Sequence, residues 1–305
     1  MDAVVNRKLR AYLDLVRAPN LFTAAADVIA GSLYVGVGLS RWGEIIGLVL
    51  ASMCLYAGGV VLNDVCDWRR DSVERPQRPI PSGRISRPTA LHLVIGLLAL
   101  GFMVAACVST RAAVIAGLLI VAIVLYNAVL KSTPLAPAVM GLCRALNLAL
   151  GMWHSGPPLW TPAESGWATP AALTPIGLMW LYVASVTYFA RHEAGVSSRF
   201  RLTVGTIGVC AAVAGLSALA WIVPNAQLSF LWLVGSLTAA LAYLGFRAAL
   251  LRSPEVVQAA VRSFVISLIL FDACMPWAAR GALAAILVAS LVVPTVLLAR
   301  SLRVT

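Results

Sequence analysis

Charge is scarce in this chain. Only 11% of its 305 residues are charged and 61% are hydrophobic, against about 25% charged in a soluble domain. That shortage excludes an ordinary water-soluble globule and implies a polytopic membrane protein. CxxC pairs are absent. The six cysteines (Cys54, Cys66, Cys107, Cys143, Cys210 and Cys274) are scattered through apolar segments, which excludes a disulfide framework and reads as small buried hydrophobes. No cleavable signal pattern precedes the first apolar run, so that run is expected to stay as a helix. Linkers, low-complexity runs and repeats are missing too. Residues 1–305 therefore read as a single membrane-embedded domain. A DGxxAR opening, the mark of enzymes that transfer a phosphoalcohol from a CDP carrier, does not occur, and no chain of intramembrane acids suggests an ion-coupled transporter.

What the chain has is long apolar segments. Stretches near the ~20 residues that span the hydrocarbon core fall at about 18–39, 43–64, 88–109, 112–130, 134–153, 171–190, 202–223, 228–250, 256–276 and 280–299. The expected fold is an all-α transmembrane bundle. With the N-terminus in the cytoplasm, 18 of the 23 basic residues lie on the inner side, Arg144 and Arg262 lie within helices, and the outer loops hold only Arg41, Arg111 and Arg280. That asymmetry satisfies the positive-inside rule. The loop from Trp153 to Pro170 is rich in Trp and Pro and carries no Lys or Arg, as suits an interfacial segment. Pro294 is placed to kink the last helix.

Three of the chain's twelve acidic residues sit together in NDVCDWRRDSVERPQRPIPSGRIS, Asn63 to Ser86. Asp64, Asp67 and Asp71, spaced i, i+3, i+7, share one stripe if the segment is helical. Three like charges on one face need a cation, and Mg²⁺ takes carboxylate oxygens while sharing its other positions with water and phosphate. Arg69, Arg70, Arg75, Arg78 and Arg84 follow and suit phosphate oxygens. The plain alternative is a charged cytoplasmic loop closing a helical hairpin. The basic run is too short, and too well explained by phosphate, to argue for nucleic acid.

The string resembles the first motif of the UbiA superfamily of intramembrane prenyltransferases, NDxxDxxxD followed by a loop ending RPxPSG. Asn63, Asp64, Asp67 and Asp71 match it, and so do Arg78, Pro79, Pro81, Ser82 and Gly83. The resemblance implies a bundle of nine core helices, here about 1–277, with an extra tenth at about 279–300. It also implies transfer of a prenyl group from a prenyl diphosphate. Mg²⁺ on Asp64, Asp67 and Asp71 would bridge the diphosphate, and Asn63, Arg75, Arg78, Lys131 and Arg191 would bind it.

Other polar groups share the cytoplasmic depth of that motif. Tyr126 and Lys131 lie where UbiA-like chains place a tyrosine and a lysine facing the diphosphate; a lone helix-end lysine otherwise snorkels. Asn20 follows RAP at the start of the first helix, either as a cap or turn residue or, as in glycerol-alkylating members, as a site residue. Arg144 and Asn147 are i, i+3 inside an apolar helix, where an Arg needs a partner. A structural ion pair and a cavity-facing role both stay open for them. The second motif departs from the family. Where DxxxD is usual, the chain reads TYFARHE, with Tyr188, Arg191, His192 and Glu193. Either Arg191 replaces the second metal's charge, or the protein binds a prenyl lipid without turning it over. His192 is a candidate base for an acceptor hydroxyl. Asp27 and Asp272 lie too deep for metal work and are expected to partner an intramembrane group or to be neutral and hydrogen-bonded.

RAPN, the YNAVLK–GLCRALN stretch and the altered second motif are most similar to the divergent Ebo-type C proteins. That implies a polar alcohol or cyclitol as acceptor, in a bacterial inner membrane with the site facing the cytoplasm and pathway proteins as partners. An aromatic acceptor of quinone type and a non-catalytic lipid-binding or scaffold subunit remain as alternatives.

Overall fold

The computed structural model describes residues 2–38, 41–153, 169–191 and 197–302, with side chains from Lys8 onward. Every regular element among them is helical. Helix α1 (Asp2–Leu15) precedes α2 (Ala18–Val35), and α3 (Trp42–Cys66) runs into the short α4 (Trp68–Glu74). Then come α5 (Arg87–Val108), α6 (Thr110–Leu125), α7 (Ala136–Trp153), α8 (Pro170–Ala190) and α9 (Arg199–Gly215). A single turn, α10 (Leu219–Ile222), leads to α11 (Phe230–Leu251), α12 (Pro254–Arg280), α13 (Ala282–Ala289) and α14 (Val292–Leu302).

Each long helix packs against the next, from α2 to α3, α5, α6, α7, α8, α9, α11 and α12, and α12 returns to α2. The result is a closed ring of nine helices, with α13 and α14 outside it against α12 and α2. The fold is the expected nine-helix core with a C-terminal addition. Nine segments of the described residues are long and apolar enough to cross a membrane, and the chain is an integral membrane protein. Helix α2 falls short of that measure because its 18 residues include Asn20 and Asp27. Its burial comes from the ring around it: Thr23, Ala24, Ala26, Asp27 and Val28 are all closed off from the surface.

Small residues let α2 and α7 cross closely. A Cβ at Gly151 would lie 2.4 Å from the Val28 carbonyl oxygen, and one at Gly31 would lie 2.8 Å from that of Leu148. The Ser32 hydroxyl donates to the Gly151 carbonyl at 2.9 Å, a contact that only a close crossing permits.

Three details differ from the sequence reading. The N-terminal residues form α1, whose Ala11 and Leu15 pack with Val61, Val65, Ile80 and Ile85. The expected last helix, 280–299, is two: α12 reaches Arg280, and the remainder breaks at Ser290–Leu291. Ser290 is four residues before Pro294, and the proline ring and missing N–H oppose the helical bond to that carbonyl. Of the cysteines only Cys274 is buried; Cys66 and Cys107 are exposed on the apolar surface, and all six are unpaired.

Candidate functional site: a carboxylate cluster above a membrane cavity

The acidic stripe is not one continuous helix. Helix α3 ends at Cys66, Asp67 takes φ −85 and ψ 0, and α4 starts at Trp68. The chain barely notices the break, because Asp67 N–H still donates to the Asn63 carbonyl at 3.0 Å and Asp71 N–H to that of Asp67 at 2.9 Å. The kink nonetheless divides the three acids. Asp64 and Asp71 are buried and meet at one guanidinium: Arg78 Nη1 donates to Asp71 Oδ2 at 2.6 Å and to Asp64 Oδ1 at 3.2 Å. Asp67 turns aside and accepts from Lys131 Nζ.

Arg78 is held by the loop that carries it. Pro79, Ile80 and Ile85 are buried, the two isoleucines against α1, α3 and α5, and the Ser82 hydroxyl donates to the Arg78 carbonyl at 2.7 Å. Gly83 takes φ +73, a region that favours glycine. Arg84 ties the loop to α1 through Asp14 at 2.8 Å. Arg75 ends α4, its N–H donating to the Asp71 carbonyl at 2.8 Å, and its half-buried side chain stays in this loop.

A second arginine completes the cluster, one that the sequence marks only by its place in RAPN. Arg17 Nη2 donates to Asp64 Oδ1 at 3.1 Å from a residue 47 positions earlier. Arg17 adopts φ 49 and ψ 57, a left-handed conformation at the start of α2. For a non-glycine residue that costs about 1–2 kcal/mol and is concentrated at functional positions. The electrostatics explain why cations gather here. Asp64 lies in the last turn of α3, where the helix dipole opposes a negative charge, so a buried carboxylate there requires positive neighbours.

Helix α6 passes at Tyr126–Leu130 into a π-helical turn. A π turn closes i→i+5 rings, which brings the neighbourhood of Lys131 over that of Tyr126. Tyr126 and Asn127 are thereby buried. Asn127 Oδ1 accepts from Asn63 Nδ2 at 3.0 Å, and its own amide donates to the Ile123 carbonyl at 2.9 Å. Burial pushes the Lys131 ammonium below the ordinary lysine value, against the opposing pull of Asp67.

Beneath the cluster is a cavity of about 160 Å³, lined by Arg17, Asn63, Tyr126, Val60, Ile123 and Leu119 and, deeper, by Tyr56, Arg144 and Asn147. That volume is more than ten times the ~10–15 Å³ that admits one water. Arg144 stands at its inner part, Nε 3.1 Å from Asp27 Oδ2 and its guanidinium 5.6 Å from the Tyr56 ring centroid. Asn147 donates to Asp27 Oδ2 at 2.7 Å and accepts from the Ser52 hydroxyl at 2.7 Å. Asp272 lies beside Asp27. Arg144 and Asn147 pair with Asp27 and also line the cavity.

Three other expected site residues lie apart from the cluster. Arg191 donates to the Thr133 carbonyl at 2.7 Å and reaches that of Ser132 at 3.4 Å, just after Lys131. It braces the loop that carries Lys131 and is not drawn to the carboxylates. Tyr188 is half-buried one turn earlier in α8. Asn20 is in the first turn of α2, its N–H donating to the Arg17 carbonyl at 2.8 Å. His192 and Glu193 lie outside the described residues, as does most of the loop between Trp153 and Pro170.

The profile of the UbiA prenyltransferase family matches residues 25–271. The chain belongs to the UbiA prenyltransferase family. The digeranylgeranylglyceryl phosphate synthase of Methanopyrus kandleri is 38% identical to it over 157 residues, 50% of this chain and 57% of that protein. The chain spans about half the length of the curated relatives it matches. A UbiA homolog from Aeropyrum pernix K1 superimposes with a TM-score of 0.62 at 16% identity, covering 84% of this chain and 96% of that one. A UbiA homolog from Archaeoglobus fulgidus bound to DMAPP and Mg²⁺ gives 0.52 at 14% identity, covering 92% and 99%. These likenesses establish the UbiA fold for the ring of nine helices.

Within this UbiA chain the donor set suits a hard cation. Among the described residues no group of three His, Cys, Asp or Glu closes on one point, but Asp64 and Asp71 both reach a single nitrogen of Arg78. These two carboxylates offer the oxygen ligands that such a cation takes.

Proposed function

We propose that the chain transfers a prenyl group from a prenyl diphosphate to a small polar alcohol at the cytoplasmic face of a bacterial inner membrane, in a Mg²⁺-dependent reaction. The observation that carries this reading is the convergence of Asp64 and Asp71 on Arg78 Nη1 directly above a membrane cavity. Asp64 and Asp71 would hold Mg²⁺, with Asp67 at the edge of the site, and the ion when bound would offset charge on the diphosphate. Arg78, Arg17 and Lys131, now paired with the carboxylates, are the groups that turn to diphosphate oxygens. Arg75 and Asn63 flank them. Positive charge held there stabilises the leaving group as the allylic C1–O bond breaks with its electron pair on the diphosphate. Val60, Leu119, Ile123 and Met140 line the cavity and keep water from the electron-poor carbon. The acceptor oxygen bonds to C1, and its proton passes to the released diphosphate.

The names of the Methanopyrus relative and of the Archaeoglobus homolog bound to DMAPP and Mg²⁺ agree with this chemistry. One observation favours a second reading. Arg191 is committed to backbone carbonyls, and the second motif has no aspartate pair, as in a protein that binds prenyl lipid without turnover. Purified protein in nanodiscs with labelled geranyl diphosphate and Mg²⁺ separates the two. Diphosphate release by the intact protein, lost in Asp64→Asn, is the expected result. Mg²⁺-dependent binding without release across an acceptor panel would establish the lipid-binding protein instead.

A further inference from the structure

The inner part of the cavity does not suit an isoprenoid tail. Tyr56 is seven residues before Asn63 on α3, so the cavity runs about 10 Å inward from the carboxylate cluster. Its walls there are apolar, yet it ends at Arg144, Asn147 and the Tyr56 ring. Arg144 is 8% exposed and lines the cavity, and its side chain makes no hydrogen bond among the described residues; its Nε and Nη2 are closed off from the cavity. Its Nε is near Asp27 without the geometry of a hydrogen bond. A buried guanidinium with unmet donors is costly, and the edge that lines the cavity can meet an oxygen brought by water or by a ligand.

The charge of the neighbourhood decides what kind of oxygen. Asp27 and Asp272, both fully buried, are the acids beside that one guanidinium. One positive group faces two acids, so the end of the cavity holds no surplus positive charge. A carboxylate or phosphate placed there would meet the acids without compensation. A neutral hydroxyl, ether or carbonyl oxygen would accept from the cavity-facing edge of the Arg144 guanidinium without adding charge.

We infer that Arg144, with Asn147 and Tyr56 beside it, forms the acceptor subsite, and that this subsite selects an uncharged, polyhydroxylated molecule over one bearing a carboxylate or a phosphate. The inference rests on the prenyl-transfer reading and names the acceptor class for it. One hydroxyl of such a molecule points toward the diphosphate cluster and another, across the molecule, accepts from Arg144.

The test compares three probe acceptors, myo-inositol, 4-hydroxybenzoate and glycerol 1-phosphate, with labelled geranyl diphosphate, Mg²⁺ and full-length protein in nanodiscs. Binding of geranyl diphosphate is measured separately. The expected result is product from myo-inositol at a kcat/KM at least tenfold above the other two. Arg144→Lys should raise the KM for myo-inositol tenfold or more while the Kd for geranyl diphosphate changes less than twofold. Because Arg144→Gln leaves Asp27 unpaired, the charge-balanced pair Asp27→Asn with Arg144→Gln serves as the second variant and should show the same KM effect. Preference for either anionic probe overturns the inference, and so does an Arg144→Lys effect on geranyl diphosphate binding equal to that on the acceptor. Diphosphate release with no prenylated product from any probe overturns it as well. Mg²⁺-dependent geranyl diphosphate binding without diphosphate release would instead remove the prenyl-transfer reading itself.

Discussion

Arg17 reaches Asp64 across 47 residues, 3.1 Å from Nη2 to Oδ1, and does so from a left-handed backbone. The interaction is therefore held against a conformational cost, and the two contributions can be separated by substitution. Arg17→Ala removes the guanidinium and keeps the unfavourable φ, whereas Arg17→Gly removes both. The glycine variant should be the more stable of the two by about 1 kcal/mol, read as a higher melting temperature in detergent. Both should lose turnover equally. Equal melting temperatures would mean that the left-handed turn at residue 17 is unstrained.

The division of the acidic stripe predicts unequal aspartates. Asp64 and Asp71 share Arg78, and Asp67 is with Lys131. Asn at 64 or 71 should lower kcat/KM by about 100-fold or more and raise the Mg²⁺ concentration needed for half-maximal rate. Asn at 67 should change that Mg²⁺ dependence less. A titration of rate against Mg²⁺ for the three variants checks this, and identical shifts would count against the split geometry.

Arg191 donates to carbonyls immediately after Lys131. If it acts by positioning that lysine, its loss should add nothing once the lysine is gone. The double variant Arg191→Ala with Lys131→Ala should then match Lys131→Ala alone in kcat/KM, a coupling of the kind seen between residues in one network. Additive losses would assign Arg191 a separate contact with the diphosphate.

The α2–α7 crossing gives a stability prediction independent of catalysis. Gly151→Ala places a methyl 2.4 Å from the Val28 carbonyl oxygen, a backbone atom that cannot rotate away, and should cost about 1–3 kcal/mol or more. Gly177→Ala meets nothing within 4 Å and should be neutral or stabilising by up to about 1 kcal/mol through helix propensity. Thermal unfolding of the two variants in the same detergent makes the comparison.

Much of this was legible before any coordinates. Hydropathy located the helices because a segment facing lipid must be apolar along its length, and the spacing of Asp64, Asp67 and Asp71 marked the cluster. Arg17 was not legible as a site residue, because its role comes from a backbone conformation and a contact between distant parts of the chain. The kink at Asp67 was hidden for a different reason: the i→i−4 bonds run through it, so the periodicity hardly changes. Asp27 was expected to have an intramembrane partner, but which one was not legible. The close crossing of α2 and α7, set by Gly31 and Gly151, brings Asn147 and Arg144 to it.

The contact between α2 and α12 closes the ring with its first and last members. A chain emerging from the ribosome cannot complete that seam until α12 has been made. Every charged group of the carboxylate cluster, from Arg17 to Lys131, has already been synthesised by then. During synthesis Asp27 therefore waits beside an open flank, with Arg144 as its first companion and Asp272 arriving later. The ring is sealed at its buried acids before α13 and α14 pack against its outside.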